Sequence, residues 1–219
     1  MLLMPSQKGI SQEEVEVYEE FTNEPIAARL TGFNFNILYP RSTFKRKLID
    51  ETGIGGGAFL LWQASPLSPH FLGFDIEFDH LFRDIGFNNG FEERVNSGYV
   101  SLTANWRVFP NFRLWILEPY LEAFIGPNFI FTATSIFDEN TGQNVDFEFD
   151  QTNFGFEYGI GFGITIPMVN SWFFDFQFSL SSTSIAQYFV LPESGIGGFE
   201  QVNSATDHNK IMVGVIYVF

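Results

Sequence analysis

The stretch "FGFEYGIGFGITI", residues 154–166, sets bulky side chains against small ones with a period of two. Phe154, Phe156, Tyr158, Ile160, Phe162 and Ile164 fall on one side; Gly155, Glu157, Gly159, Gly161, Gly163 and Thr165 fall on the other. Successive side chains of a strand point to opposite faces, so this spacing predicts a strand. A water-facing sheet would carry long charged side chains on its polar side. Here that side is mostly glycine, which suits a cramped interior. The bulky side is then the outside.

The same alternation recurs along the chain. In "GFNFNILY", Phe33, Phe35, Ile37 and Tyr39 oppose Asn34, Asn36 and Leu38. In "FLGFDIEFDHLF", Leu72, Phe74, Ile76 and Phe78 oppose Asp75, Glu77 and Asp79. In "WFFDFQFSLSS", Phe174, Phe176, Phe178 and Leu180 oppose Asp175, Gln177, Ser179 and Ser181. Turn signals divide the chain into strand-like segments at 27–40, 53–64, 71–82, 97–110, 117–138, 152–168, 172–191 and 208–219. Most exceed the usual strand length of about 5–6 residues and meet the roughly 9–11 that a tilted strand needs to cross a bilayer. Connections alternate between long (41–52, 83–96, 139–151, 192–207) and short (65–70, 111–116, 169–171). Four long and three short is the pattern of a transmembrane barrel with its N-terminus on the short-turn side. The expectation is an all-β fold, an eight-stranded antiparallel up-and-down transmembrane β-barrel over residues 27–219.

A soluble lipocalin-like ligand-binding barrel shares the alternation with its faces exchanged. The tryptophans speak against it. Trp62, Trp106, Trp115 and Trp172 all fall at the short-turn end of such a barrel, with Tyr217 and Phe219 beside them. Amphipathic rings collect at the headgroup level of a bilayer, and Trp62, Trp106, Trp115, Trp172 and Tyr217 form a candidate aromatic girdle.

Composition excludes several classes. Lys+Arg total 11 against 26 Asp+Glu, a net charge of −15, which is unsuited to nucleic acid. With no cysteine, disulfides and thiolate zinc sites are ruled out. Aromatic residues make up 18%, and 29 residues are Phe. "MLLMPSQKGI" does not read as a secretory signal. Residues 1–26, rich in glutamate, read as a solvated acidic tail.

The chain ends "MVGVIYVF", a strand that runs to its last residue. Together with "TGFNFNILYP", "PYLEAFIGPNFIFTATSIFDE" and "FGFEYGIGFGITIP", this ending resembles the small bacterial outer-membrane β-barrel proteins of the OmpA/OmpX/OmpW-like group. The resemblance covers about residues 27–219. It implies the outer membrane of a Gram-negative cell, a porin-like fold, and a periplasmic N-terminal tail. It also implies a terminal signal read by the barrel assembly machinery, at Gly214, Tyr217 and Phe219; Met212 stands where a polar residue is usual. Lipid and glycolipid are implied partners, and the long loops are the expected place for a protein partner. For activity the resemblance is unspecific, since the group spans adhesins, structural proteins and small channels.

Candidate chemistry is sparse. "GIGGGA", Gly53 to Ala58, has the letters of a dinucleotide fingerprint but neither the preceding strand nor the following helix that fingerprint needs. Its glycines instead let the strand bend or let neighbouring side chains fold inward. His70, His80 and His208 do not converge as metal ligands, and serines near His208 lack a positioned third partner. Asp138, Glu139, Asp146, Glu148 and Asp150 gather in the third long loop without the glycine spacing of an EF-hand. Arg41, Lys45, Arg46 and Lys47 in the first long loop suit glycolipid phosphates. No cofactor, metal or catalytic residue is expected.

The inner face carries the clearest candidates. Asp75, Glu77, Asp79, Glu122, Glu157 and Asp175 point inward against Arg107 and Lys210, a lumen charge network. Phe124 is expected to occupy room left by the glycines of strand six, and Arg107 to reach Glu122 on the next strand. These features predict a non-enzymatic structural or surface-interaction protein with a filled lumen, the alternative being a narrow cation-preferring channel.

Overall fold

The computed structural model describes residues 27–42, 52–88, 91–110, 112, 114–138, 140–190 and 200–219. The expected acidic tail, with Lys45, Arg46, Lys47 and Glu139, lies outside the described residues, as do the side chains of Glu148 and Asp150.

The first seven strands are β1 (Arg29–Pro40), β2 (Gly53–Gln63), β3 (His70–Asn88), β4 (Phe91–Val108), β5 (Glu118–Asp138), β6 (Asn144–Pro167) and β7 (Trp172–Thr183). Two short ones follow, β8 (Ile185–Val190) and β9 (Glu200–Ala205), and β10 (His208–Val218) ends the chain. Eight of them close into a barrel in the order β1-β10-β7-β6-β5-β4-β3-β2. Every neighbouring pair is antiparallel. Outside the barrel, β8 and β9 form a separate hairpin.

Closure fixes the stagger. Cross-strand partners lead from His70 through Val108, Leu121, Phe162, Phe178, Ile211, Ile37 and Ile54 to His80. One circuit therefore displaces the ladder by 80 − 70 = 10 residues. With a rise of about 3.3 Å per residue and about 4.8 Å between strands, the strands tilt by about 40° from the barrel axis.

The faces separate as the alternation predicts. Phe33, Phe74, Ile76, Phe78, Phe154, Phe156, Ile160 and Phe162 are exposed on the outside, each more than half so, while Asp75, Glu77, Asp79 and Glu157 are buried. A continuous apolar exterior of this size around a polar interior is stable against acyl chains rather than water. The barrel is a transmembrane one.

Four sequence boundaries need correction, one of them the expected loop 192–207, which contains β9. Most of the expected loop 83–96 is strand, because β3 runs to Asn88 and β4 starts at Phe91. Likewise β6 starts at Asn144, inside the expected loop 139–151. Beyond the bilayer both faces of a sheet meet water, so polar residues there carry no alternation to read. The seventh segment, expected to continue to residue 191, breaks at Ser184. That residue donates its N–H to Phe156 O at 2.8 Å and accepts from Phe156 N at 2.9 Å, and the chain then turns into β8.

The inner face is not polar throughout. Leu30, Phe59, Leu61, Phe71 and Ile216 form a buried cluster at the short-turn end. Leu38, Leu81 and Val95 are buried toward the long-loop end. The charged residues lie between the apolar cluster at the short-turn end and these residues, which share their end with the hydroxyl pairs Ser97–Thr132 and Thr183–Thr206.

Candidate functional site

In the lower half of the lumen, Arg107 on β4 and Glu122 on β5 are direct cross-strand partners. Arg107 Nε donates to Glu122 Oε2 at 2.6 Å, and its Nη1 lies 3.8 Å from Asp175 Oδ2. The guanidinium carbon sits 4.3 Å from the Tyr120 ring centroid and 4.7 Å from that of Phe59, a cation held between two aromatic faces. Gln177 Nε2 donates to Glu122 Oε1 at 3.0 Å. The Tyr120 hydroxyl lies 2.9 Å from Asp175 Oδ1 and 3.0 Å from Gln177 Oε1.

The upper half is built around Lys210 on β10. Its ammonium pairs with Glu77 and lies 3.4 Å from Asp79 Oδ2 and 3.9 Å from Glu157 Oε1. Glu157 accepts from Tyr99 Oη at 2.6 Å and from Ser181 Oγ, and His208 Nε2 stands 3.3 Å from it. His208 Nδ1 donates to Thr206 O at 2.7 Å, which fixes the ring. Asn128 Nδ2 donates to Tyr99 Oη at 3.1 Å.

All eight residues of the expected lumen network, from Asp75 to Lys210, are thus buried inside the barrel. The space between Asp75, Glu77, Glu122, Glu157 and Lys210 is only about 10 Å³. Phe124 lies directly opposite Gly159, over which its ring leans. Tyr99, Tyr120 and His208 belong to the network too. Their inward parity relative to Asp79, Glu122 and Lys210 was the available signal. Of the three histidines, His70 instead stacks on Trp106 outside and accepts from its Nε1 at 3.2 Å.

The candidate girdle residues all lie outside at the short-turn end. Trp172 and Tyr217 pack at 5.0 Å between centroids, Trp62 meets Phe74 edge-on, and Trp115 stands 89% exposed in the tight turn between Leu114 and Leu117. Gly214 faces inward between Asn34 on β1 and Asp175 on β7. Phe219 exchanges backbone hydrogen bonds with Arg29, at 2.9 and 3.0 Å, so the seam is laddered to the final residue. In the acidic loop, Asp138 Oδ1 accepts from Asn140 N at 2.8 Å and Thr141 N at 3.0 Å, closing a turn with Gly142 at φ 65°. Those N–H groups, Thr141 first, hold its carboxyl below the usual range. Arg41 donates to Ser181 O at 2.9 Å.

No protein-family model and no curated sequence matches the chain. Among solved structures it is similar to Neisserial surface protein A, at 12% identity and a TM-score of 0.50 over 87% of this chain and 97% of that one. A major outer membrane protein from Thermus thermophilus aligns at 14% identity and a TM-score of 0.49, over 88% and 99%. The outer membrane protein OprG of Pseudomonas aeruginosa aligns at 14% and 0.43, over 88% and 96%. The likeness to the Neisserial protein is one of fold: a closed eight-stranded barrel of the outer-membrane type.

Proposed function

We propose that the protein is a non-enzymatic integral protein of the bacterial outer membrane, with a structural or surface-interaction role. The observation that carries this reading is the plugged lumen. Two clusters of charged groups fill it, an apolar cluster covers the short-turn end, buried apolar and hydroxyl side chains cover the other, and the central space of about 10 Å³ is near the minimum for a single water. Conducting porins use about 16–18 strands to leave an aqueous channel. The outward alternation, the aromatic ring at the short-turn end and the similarity to a protein called a surface protein support the location. Gly214, Tyr217 and Phe219 would serve the assembly machinery, with the aromatic girdle set at the periplasmic interface.

Function then falls to the other end. β3 continues to Asn88, eight residues past its last partner on β2, His80 (88 − 80 = 8). β4, β5 and the start of β6 extend with it, so a sheet of four strands stands above the rest of the wall. This projection is the surface offered to a protein partner. The surplus of buried carboxylates favours a second reading, a narrow cation-preferring channel.

Membrane fractionation with a heat-modifiability gel tests location and fold together. Liposome swelling and planar-bilayer recordings test the lumen. We expect an outer-membrane, heat-modifiable band, negligible sugar uptake and no steady conductance; large conductance from purified monomer would establish the channel instead.

A further inference from the structure

We propose that the lumen wall over Gly55 binds one small hard cation, of the sodium or calcium kind, between Asp79 and Asn36. Asn36 on β1, Gly55 on β2 and Asp79 on β3 are cross-strand partners in one inward-facing row. Asn34 and Gly57 lie in the next inward row. The missing side chain at Gly55 lets its two neighbours lean over the same spot. A Cβ there would lie under 3.0 Å from both Asp79 Oδ1 and Asn36 Oδ1. The glycine run of residues 53–57, which lies within β2, thus thins the wall where two side-chain oxygens converge.

Those oxygens lack donors. Asp79 and Asn36 are both fully buried at 0% exposure. Neither carboxylate oxygen of Asp79 has a hydrogen-bond partner in the protein, and the same holds for Asn36 Oδ1, Asn36 Nδ2 and Asn34 Oδ1. The ammonium of Lys210, 3.4 Å from Asp79, is shared with Glu77 and Glu157, so three carboxylates surround one cation. A buried carboxylate left in this state is costly. A donating water would satisfy a lone pair but leave the charge. A cation satisfies both.

The donor set indicates which cation. One carboxylate with an amide oxygen is a hard-oxygen site, suited to sodium or calcium rather than to a thiolate- or imidazole-preferring metal. Among the described residues no three His, Asp or Glu side chains converge as a metal-ligand group, so the site depends on Asp79 together with the amide oxygen of Asn36. With buried side chains packed above and below the charged groups, the ion would be captured as the barrel closes.

The test refolds the full chain into phosphocholine vesicles at one ionic strength, in sodium chloride, calcium chloride or N-methylglucamine chloride. Unfolding midpoints and the metal retained after desalting are then measured. We expect a higher midpoint in sodium or calcium than in the organic cation, and about one retained ion per barrel. Asp79→Asn should make the midpoints equal and release the ion; Asn36→Ala, which keeps the charge, should raise the half-effective concentration about tenfold. Equal wild-type midpoints in all three salts would mean that water fills the space, and would overturn the proposal. So would an undiminished salt effect in both variants.

Discussion

Arg107 and Glu122 face each other across adjacent strands, joined at 2.6 Å with side chains only 2% and 3% exposed. Removing one partner leaves the other charge buried. Arg107→Ala should cost about 3–5 kcal/mol in lipid refolding titrations. The aromatic faces of Phe59 and Tyr120 would still occupy the section, so the variant should gain no sugar permeability in liposome swelling.

The lipid face gives a second test. Phe176 lies mid-strand on β7, outward between Phe174 and Phe178. Phe176→Arg should destabilise by about 2–4 kcal/mol near the midplane, whereas Val145→Arg, in the projecting sheet, should be near neutral. Equal losses would contradict the assignment of faces. Gln177 is no neutral control, because it bonds to Glu122 inside the lumen.

Phe124 and Gly159 should be energetically coupled. A Cβ at Gly159 would come closer than 3.0 Å both to the Phe124 ring and to the backbone oxygen of Leu180, so Gly159→Ala should cost about 1–3 kcal/mol by overpacking, of which the ring carries a part. The cost should shrink in a Phe124→Leu background; purely additive losses in the double-mutant cycle would mean the ring does not fill that space.

The seam depends on the last residue. Phe219 holds two backbone hydrogen bonds to Arg29, so deleting it should lower the heat-modifiable, folded fraction far more than deleting residues 1–20. Wild-type levels of folded barrel without Phe219 would remove its role in assembly.

At the β5–β6 tip, Asp138 supplies the acceptor that closes the turn. Its carboxyl is held below the ordinary range, so the stabilisation is present above that range and is lost as pH falls through the depressed value. The protection factor of the Thr141 amide, its exchange compared with the intrinsic rate at each pH, should therefore fall on acidification in wild type and be low at every pH in Asp138→Ala.

Much of this was legible in the residues because the two faces differ so sharply. Phe74, Ile76 and Phe78 against Asp75, Glu77 and Asp79 can be read without a structure. The closing layers were harder to see. Leu61 and Ile216 are inward residues whose outward neighbours are also apolar, and Leu30 is an inward apolar residue between Arg29 and Thr31, so the alternation disappears or reverses where the plug begins. Tyr99 and Tyr120 were hidden for a different reason. A tyrosine suits either face by its chemistry, so only its place in the alternation, opposite Asp79 for Tyr99 and in step with Glu122 for Tyr120, points inward, and the partners Glu157 and Asp175 bear this out. The glycines of β2 marked a place without saying what would lean into it.

An even number of strands in a closed wall has a topological outcome. Ala28, just before β1, and Phe219 both lie at the short-turn end, hydrogen-bonded to Gln63 and Arg29 respectively. A tag inserted directly before Ala28 or after Phe219 would emerge into one compartment, and the far ends of the β3–β4 and β5–β6 pairs into the other. A single molecule thus presents covalent handles on one side of the bilayer and its projecting sheet on the opposite side, so protease protection of the two could be scored in the same vesicle.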